Sequence, residues 1–553
     1  STTCARRSSA TARVSGHSTS AASAMYVFLV GPPGVGKSTL APVLAAQFAA
    51  SVVEIDRVIE RRTRKRNKDT IDQDGMERFR DLETRVLETL HATPAWTVVD
   101  TGGGTSLRPA NRARMRELGL IVGLRASLSR ITAGIAATLE KRQTMPFTAA
   151  ERARHALRDP ERRAAYADVD VTFDVDGATA EQTAQAIVAW LATARGLRVD
   201  VGGEDPYPVV IRAGAIDALG EYLVDRGWRG RVALVSERHA AERLAPRARA
   251  SLEAAGLNVT SVIAPSGEPA KSLKAVAALW QAFAEAGIAR DGGVVALGGG
   301  ALGDAAGFAA ATYLRGVRVA QVPTTLLAMV DAAIGGKTAI DIAAGKNLVG
   351  AFHQPDAVLA DLTALETLPR RQRASGLAEI VKSAFLVDRE SVAQVERAIP
   401  GVLRAETGAA LTAIALAAEV KASVVTADPR EQGLRALLNF GHTMGHAYET
   451  AGRYRASHGE AVAIGLVFAC ALAERLDLAP ANMRTDMERL LTKAGLPIRA
   501  RIPAGAWGLL ARDKKVRAGK VTWILPRRIG RFSEVTDVPD RTLRAAARIV
   551  EGA

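Results

Sequence analysis

With 553 residues the chain is too long for a single hydrophobic core, because domains usually contain about 100–200 residues, so about two to four folding units are expected. Hydrophobic residues make up 48% and charged residues 24%, which is typical of a globular protein, and the sequence lacks the run of about 18 apolar residues that predicts a membrane span. The net charge of +15 and the basic run at residues 61–66 raise the alternative of nucleic-acid binding. Because interleaved aromatic residues and a nucleic-acid fold signature are missing, we instead expect anionic small molecules as ligands, with no nucleic acid and no membrane as partner.

The first 24 residues are rich in Ser, Thr, Ala and Arg and contain no acidic residue, so we expect a disordered tail at residues 1–24. Their composition is also similar to that of an organellar transit peptide, and this alternative stays open, although Met25 directly precedes the first predicted strand. Cys4 and Cys470 are the only cysteines, which excludes a disulfide framework and favours a cytoplasmic location.

The next stretch of the chain alternates strand and helix patterns. An apolar strand runs into a glycine-rich turn and an Ala/Leu-rich helix, and further strands and a closing amphipathic helix follow, at residues 26–30, 39–49, 96–99, 119–124 and 180–194. This order predicts a parallel α/β domain over residues 25–195. Glycines, prolines and acidic residues at residues 196–208 predict a linker.

Beyond the linker the pattern changes once more. Strands and helices alternate over residues 209–368, which predicts a second, Rossmann-type α/β domain with strands at residues 209–212, 231–236, 293–297 and 317–323. Residues 369–553 show long Ala/Leu/Val-rich helical patterns with few strand signals, so we expect an α-helical domain there.

The turn at residues 31–38 reads GPPGVGKS and matches the phosphate-binding loop G-x-x-x-x-G-K-[ST] between a strand and a helix. Such a loop wraps phosphates with backbone N–H groups, its lysine reaches the β- and γ-phosphates, and its serine holds Mg²⁺. The sequence therefore predicts a site for ATP with Mg²⁺, formed by Gly34, Val35, Gly36, Lys37, Ser38 and Thr39.

The acceptor of the phosphoryl group is indicated by a series that follows the loop: Glu54 and Asp56 after a strand, then Phe79-Arg80, then the glycines at residues 102–104. Over residues 25–195 this series resembles the shikimate kinases. The resemblance implies that Glu54 binds Mg²⁺ through water and that shikimate is bound by Asp56, Arg80, Gly102, Gly103, Gly104 and Arg162. An acidic group can orient a hydroxyl and accept its proton, and arginines clamp a carboxylate, so these residue types fit the chemistry.

Two positions depart from that family's pattern. Glu54 stands where the family usually has aspartate, and Met145 stands where it has a lid arginine. We expect Arg142 to supply the catalytic charge instead, because an arginine on the transferring phosphoryl group is worth about 10³-fold or more in rate. A different small-metabolite kinase, or an inactive one, stays open as the alternative for this half.

Three of the eight histidines, His442, His446 and His458, lie within 17 residues of one another. His442 and His446 are four residues apart and so share one helix face, where two imidazoles can converge on a metal ion. Such histidines with a carboxylate suit Zn²⁺, or Co²⁺, with one open coordination position, as in a catalytic site.

A glycine-rich turn at residues 298–304 follows a predicted strand and opens a helix. This is the context of a dinucleotide fingerprint, but the acidic residue about twenty positions later is missing. Glu237, at the end of an earlier strand, is the candidate to bind the ribose instead. Alone, this turn is weak evidence for NAD.

Several further motifs follow in close order at residues 313–316, 323–327, 331–338 and 345–347. With these motifs and the histidines, residues 200–553 resemble 3-dehydroquinate synthase. The resemblance implies that Glu379, His442 and His458 are the zinc ligands and that His446 lies beside the substrate. It implies NAD contacts from Glu237, Glu268, Lys271, Gly300, Asp304, Thr324, Thr325, Lys337 and Lys346. It implies contacts to the substrate, DAHP, from Arg315, Asp331, Lys337, Asn347, Lys382, Lys421, Arg435, Asn439, His446, Lys514 and Lys515.

The resemblance also implies the reaction: DAHP is oxidised transiently by NAD, loses phosphate, is reduced again and closes to 3-dehydroquinate. Lys337, Lys382, Arg435 and His446 are the expected catalytic residues of this half, as Lys37, Asp56, Arg80 and Arg142 are of the kinase half. A homodimer is expected, with Arg315 reaching across the interface. The alternative is a metal-dependent polyol or alcohol dehydrogenase, which would release NADH stoichiometrically.

Two milder departures lie in the second half. Ala332 and Ala333 replace a serine pair, and Asp341 stands where asparagine is common. We expect small effects on binding. Together, the two resemblances predict a bifunctional enzyme of the shikimate pathway, built as a phosphate-binding-loop kinase domain, a Rossmann-type domain and an α-helical domain.

Overall fold

The computed structural model describes residues 11–12, 25–139, 148–510, 516–517 and 520–552. The chain divides into two compact units, residues 16–194 and residues 195–553, and residues 11–12 belong to the second.

The first unit is a five-stranded parallel sheet flanked by helices. Its strands are, in spatial order, Ser51–Glu54, Thr97–Asp100, Tyr26–Val30, Gly119–Arg125 and Val171–Asp174. The strand Tyr26–Val30 is buried along its whole length, as a central parallel strand must be, and the phosphate-binding loop follows it directly. The helices are Lys37–Gln47, Ile55–Thr63, Asn67–Asp74, Met76–Glu88, Pro109–Leu118, Leu128–Leu139, Ala149–Arg158, Pro160–Ala167 and Ala180–Trp190.

The second unit contains a seven-stranded sheet in which all strands but one are parallel. Its spatial order is Asn258–Ala264, Arg231–Glu237, Gly293–Gly298, Arg318–Pro323, Ala357–Asp361, Tyr207–Arg212 and Leu197–Val201. The chain passes from the second of these strands outward to the first and then returns inward to the third. The connections therefore change direction between Arg231–Glu237 and Gly293–Gly298, and such switch points are where open α/β sheets bind ligands.

Helices cover this sheet and build the rest of the second unit. In the sheet-forming part they are Leu219–Asp225, Arg238–Arg243, Ala245–Ala254, Leu273–Glu285, Gly300–Thr312 and Ala364–Thr367. The helical part contains Arg370–Val387, Arg389–Leu403, Thr407–Ala427, His442–Ala451, His458–Arg475, Asn482–Lys493, Ala504–Leu510 and Asp540–Glu551. Among the described residues, Thr407–Ala427 is the one helix that is long and apolar enough to cross a membrane, but 83% of its apolar window is buried, as in the core helix of a globular domain.

Several predicted boundaries need correction. The predicted linker at residues 196–208 contains the edge strand Leu197–Val201, which pairs antiparallel with Tyr207–Arg212, so most of it belongs to the sheet. The expected α-helical part also contains a hairpin of Trp523–Arg528 with Arg531–Val535. Within the predicted disordered tail, Thr11–Ala12 pairs with the second of these strands.

Two smaller hairpins complete the second unit. One pairs Lys337–Ile342 with Gly345–Phe352, where the sequence showed only candidate binding motifs. The other pairs Val516–Arg517 with Lys520–Val521.

Candidate active sites

The phosphate-binding loop of the first unit has the geometry of a phosphate site. Gly34 and Gly36 have φ angles of 81° and 108°, which side chains with a Cβ atom rarely adopt, so these turns require glycine. The loop ends at the N-terminus of the helix Lys37–Gln47, where free N–H groups favour an anion. The buried Lys37 Nζ donates to the carbonyl of Gly31 at 2.7 Å, and burial lowers the pKa of Lys37 although Asp100 and Asp56 partly oppose the shift.

The hydroxyl of Ser38 donates to a carboxylate that the sequence analysis missed. Ser38 Oγ lies 2.5 Å from Oδ2 of Asp100, the last residue of the neighbouring strand. Glu54, the predicted Mg²⁺ contact, forms an ion pair with Arg57, whose Nε lies 2.9 Å from Oε2. Asp100 carries no sequence signal beyond its position at the end of an apolar strand.

The predicted shikimate residues meet at the turn formed by residues 102–104. A Cβ atom at Gly102 would lie 3.1 Å from Oδ1 of Asp56, and one at Gly104 would overlap the guanidinium of Arg80. Arg162 donates to the carbonyl of Gly103 at 3.1 Å. The turn therefore brings one carboxylate and two guanidinium groups together around backbone that has no side chains.

Glu83 is a second residue that the sequence analysis did not assign. Its carboxylate is buried and receives a hydrogen bond from Arg80 at 2.7 Å and one from Thr105 at 2.7 Å. Burial raises the pKa of Glu83, and the charge of Arg80 partly opposes that shift. Glu83 fixes the guanidinium of Arg80 next to Gly104. Arg142 and Met145 lie outside the described residues.

In the second unit, the switch point of the large sheet carries the glycine-rich turn. Gly299 precedes the helix Gly300–Thr312, and its N–H group faces Oε1 of Glu237 at 3.4 Å. Thr324 and Thr325 follow the adjacent strand, and the Thr324 N–H donates to Gly298. Three parallel strand ends thus present a helix N-terminus, a carboxylate and two hydroxyls at one edge, as a dinucleotide site requires.

Other predicted NAD residues form ion pairs in the same unit. Lys271 Nζ lies 2.6 Å from Oδ2 of Asp304 and also contacts the Asn347 side chain. Burial raises the pKa of Asp304 to about 6, and the charge of Lys271 limits the shift. Lys346 Nζ lies 2.6 Å from Glu268. The predicted residues therefore form two contacting sets, Lys271 with Asp304 and Asn347, and Lys346 with Glu268.

Three imidazoles and a buried carboxylate converge between the helices Arg370–Val387, His442–Ala451 and His458–Arg475. Oε1 of Glu379 lies 3.3 Å from Nε2 of His442 and 3.6 Å from Nε2 of His458. Neither carboxylate oxygen of Glu379 accepts a hydrogen bond of ordinary geometry, although Lys382 forms an ion pair with it. Backbone and carboxylate contacts orient the rings, because Nδ1 of His442 lies 3.1 Å from the carbonyl of Phe440 and Nδ1 of His458 lies 3.4 Å from Glu449.

The electrostatics of this cluster favour a cation. Burial alone would raise the pKa of Glu379, but Lys382 and His442 outweigh burial and hold that pKa well below its usual range. Burial and the charge of Lys382 lower the pKa of His442 to about 4, so this ring is neutral at pH 7. Burial would also lower the pKa of His458, but Glu379 and Glu449 outweigh it and raise that pKa to about 10. Once a metal ion displaces the extra proton of His458, the anionic carboxylate and the two imidazoles that share it form a donor set that suits Zn²⁺.

By distance alone, the three histidines form a second candidate ligand set, because one nitrogen of each lies within 4.8 Å of the others. We favour Glu379 as the third ligand over His446. A buried carboxylate that accepts no ordinary hydrogen bond is costly, and because Lys382 compensates the charge of Glu379 only in part, a metal ion shared with the two imidazoles would stabilise it further. His446, by contrast, is only partly buried.

A group of cations lies next to the cluster, and acids in the same unit balance several of them. Lys421 forms an ion pair with Asp331. Burial alone would raise the pKa of Asp331, but the charge of Lys421 outweighs burial and lowers that pKa to about 2. Lys337 Nζ lies 2.5 Å from Glu431, a residue that the sequence analysis missed.

The remaining predicted substrate residues differ in their contacts and in their exposure. Asn439 donates to Glu431 at 3.0 Å. Arg435 is buried and donates to the carbonyls of Pro429 and Gly335. Arg315 is exposed after the helix Gly300–Thr312, and Lys514 and Lys515 lie outside the described residues.

Comparison with known proteins decides the family. The model of the N-terminal part of 3-dehydroquinate synthase matches residues 261–375, and that of the C-terminal part matches residues 376–516. The 3-dehydroquinate synthase of Gloeobacter violaceus is 45% identical over 353 residues, which is 63% of this chain and 97% of that protein. That of Symbiobacterium thermophilum is 44% identical over 348 residues, or 62% and 97%. The chain belongs to the 3-dehydroquinate synthase family.

The shikimate kinase family model matches residues 33–192, ahead of the synthase. The chain is thus a bifunctional enzyme of the shikimate pathway, with a shikimate kinase domain and a 3-dehydroquinate synthase. These findings favour the synthase over the dehydrogenase alternative.

Solved structures are similar to the synthase half. ValA, a 2-epi-5-epi-valiolone synthase from Streptomyces hygroscopicus with NAD⁺ and Zn²⁺ bound, is 29% identical with a TM-score of 0.59, and the match covers 64% of this chain and 99% of that chain. A 2-deoxy-scyllo-inosose synthase with NAD⁺ and Co²⁺ has a TM-score of 0.59 and is 24% identical, and the match covers the same shares of the two chains, so it supports the fold alone.

Asp341, which stands where the synthase family commonly has asparagine, has a structural contact in this chain. Its carboxylate accepts a hydrogen bond from the N–H of Asn347 at 2.9 Å.

Proposed function

We propose that the synthase half converts DAHP with a resident Zn²⁺ or Co²⁺ and with NAD, and that the kinase half phosphorylates shikimate with MgATP. The observation that carries the synthase proposal is Glu379, a buried carboxylate without an ordinary hydrogen bond, set against two imidazole nitrogens.

Glu379, His442 and His458 would hold the metal ion, and the bound ion would polarise a substrate hydroxyl. Glu449 accepts from Nδ1 of His458 and so leaves Nε2 of that ring directed at Glu379. Such outer carboxylates fix the tautomer of a ligating imidazole. Phe440 does the same for His442 through its backbone carbonyl.

The NAD site would use the N-terminus of the helix Gly300–Thr312 for the pyrophosphate and Glu237 for a ribose hydroxyl. Bound there, NAD would serve as a hydride acceptor that is regenerated within each turnover. Lys271 and Asp304 would position the nicotinamide end through their mutual ion pair.

The cations beside the metal would bind the carboxylate and phosphate of DAHP. Lys382 and Lys421 are paired internally with Glu379 and Asp331, so an arriving anion meets positive charge that is already oriented. His446, whose ring centre lies 5.2 Å from that of His442, would transfer protons at the substrate. Lys337 would bind the phosphate until it leaves.

In the kinase half, Arg80 and Arg162 would clamp the shikimate carboxylate, and Asp56 would accept the proton of the attacking hydroxyl. Lys37 would leave the carbonyl of Gly31 to contact the phosphates, while the helix N-terminus receives their charge. MgATP supplies the phosphoryl group. Arg142 would neutralise its charge during transfer.

We also propose a homodimer formed through the synthase half, with Arg315 reaching the partner, and a cytoplasmic location. Arg315 is exposed and therefore available for an interface. Cys470 is buried and free, so nothing in its surroundings calls for an oxidising compartment.

Two assays on the purified chain test the two activities. The first follows phosphate release from DAHP with catalytic NAD, and the second follows ADP formation that depends on shikimate. We expect both, and we expect no net NADH in the first. Stoichiometric NADH without phosphate release would contradict the synthase proposal, and ADP formation that is indifferent to shikimate would contradict the kinase proposal.

A further inference from the structure

Asp100 occupies a position in the kinase half that nothing in the sequence analysis used. It ends the strand Thr97–Asp100, which pairs with the strand leading into the phosphate-binding loop, and Leu29 is its register partner. Its carboxylate is 6% exposed and both oxygens are engaged. Oδ2 accepts from the Ser38 hydroxyl at 2.5 Å, and Oδ1 accepts from the Gly102 N–H at 3.0 Å.

This arrangement matches the chemistry that Mg²⁺ needs beside a nucleotide. In phosphate-binding-loop enzymes the loop serine or threonine and a carboxylate from a neighbouring strand end hold the ion between them. Mg²⁺ keeps several waters and takes only one or two carboxylates. Because the Ser38 hydroxyl already lies against Asp100, the two groups point at one place.

Glu54 is the competing carboxylate, and its surroundings differ. It ends the edge strand Ser51–Glu54, where its register partner is Asp100 itself. Its own carboxylate, however, is directed to Arg57, at 2.9 Å, within the first turn of the helix Ile55–Thr63. No described contact joins Glu54 to Ser38.

We infer that Asp100, rather than Glu54, is the carboxylate that positions Mg²⁺ in the kinase half, directly or through a bound water. The inference rests on the proposed use of MgATP. It assigns Oδ2 to the ion and leaves Oδ1 holding the turn at Gly102, so that one side chain links the metal to the shikimate-binding turn.

The test measures ADP binding by calorimetry, with and without added Mg²⁺, to the full chain saturated with NAD so that ADP reaches only the kinase half. Asp100→Asn and Glu54→Gln are compared with the wild type, and Asp72→Asn, an exposed residue of the helix Asn67–Asp74, is the matched control. Asparagine keeps an oxygen for the Gly102 N–H, so ADP binding without Mg²⁺ should be retained and shows that the site is folded.

We expect Asp100→Asn to raise the Mg²⁺ concentration that half-maximally strengthens ADP binding by roughly 10- to 100-fold, the usual loss when an outer partner of a metal is removed. Glu54→Gln and Asp72→Asn should keep the wild-type value. An unchanged Mg²⁺ response in Asp100→Asn would overturn the inference, and so would a loss in Glu54→Gln, which decides the question even if Asp100→Asn does not fold. If the wild type binds MgADP but does not phosphorylate shikimate, the proposal that shikimate is the phosphoryl acceptor would be wrong, whereas the inference about Asp100 and Mg²⁺ would stand.

Discussion

Glu379 and His442 face each other across two helices, with Oε1 of the carboxylate 3.3 Å from Nε2 of the imidazole. Both side chains are buried, and neither oxygen of Glu379 accepts an ordinary hydrogen bond. Desolvating a carboxylate costs several kcal/mol unless an opposite charge compensates it. Lys382 supplies part of that compensation, and a divalent ion between the two ligands would supply the rest.

Removal of the metal should separate the two activities. We expect 1,10-phenanthroline, a nitrogen chelator that prefers Zn²⁺ and Co²⁺ to Mg²⁺, to abolish phosphate release from DAHP while shikimate-dependent ADP formation continues, because Mg²⁺ prefers oxygen ligands. Added Zn²⁺ or Co²⁺ should restore the lost activity. Synthase turnover that survives complete removal of the transition metal would contradict this prediction.

Glu449→Gln should weaken metal binding although Glu449 is not a ligand. The substitution removes the charge opposite Nδ1 of His458, and loss of such a partner typically costs about 10- to 100-fold in metal affinity. Competition with a chromogenic zinc chelator measures the change. Glu474→Gln, which alters a half-buried ion pair with Arg484 outside the histidine cluster, is the control and should retain wild-type affinity. Equal affinities in all three proteins would show that Glu449 has no such role.

Gly299→Ala should weaken NAD binding without unfolding the protein. Its φ of −76° is open to any residue, and a Cβ atom there would meet Thr325 at 3.4 Å, an ordinary contact. The added methyl group would, however, stand between the helix N-terminus and a pyrophosphate. Fluorescence titration with NADH measures the loss, and zinc content and thermal unfolding should match the wild type. Unchanged NADH affinity would place the dinucleotide elsewhere.

Arg80 should show two separable roles. Arg80→Ala leaves Glu83 buried without its charge partner, and breaking such a pair costs about 3–5 kcal/mol of stability. Arg80→Lys keeps the charge but loses the bidentate geometry, so we expect a folded domain whose KM for shikimate rises by about 10-fold or more. Urea unfolding and steady-state kinetics measure the two effects. A lysine variant with wild-type KM would remove Arg80 from the shikimate site.

The sequence was sufficient for features that depend on local pattern. The phosphate-binding loop, the strand at residues 26–30 and the histidine cluster each follow from spacing within one element or between two adjacent ones. The edge strand Leu197–Val201 was missed because its five residues lie between glycines, and the turn signals outweighed its alternation.

Functional contacts between distant elements were not accessible in the same way. Asp100 reaches Ser38 across 62 residues, and Lys337 reaches Glu431 across 94. The local sequence around a carboxylate at a strand end or in a loop is the same whether the side chain faces solvent or a cation. Only the fold distinguishes these two environments. The contact of Glu449 with His458 was equally inaccessible. Glu449 lies in the helix His442–Ala451, and the turn after that helix brings His458 beside it.

The zinc content of four proteins, measured by mass spectrometry after purification, tests the central claim most directly. We predict about one zinc ion per chain in the wild type and in His446→Ala, with synthase turnover strongly reduced in the latter, and little or no zinc in His442→Ala and Glu379→Ala. Zinc that persists without His442 or Glu379, or that disappears without His446, would contradict this arrangement of the metal centre.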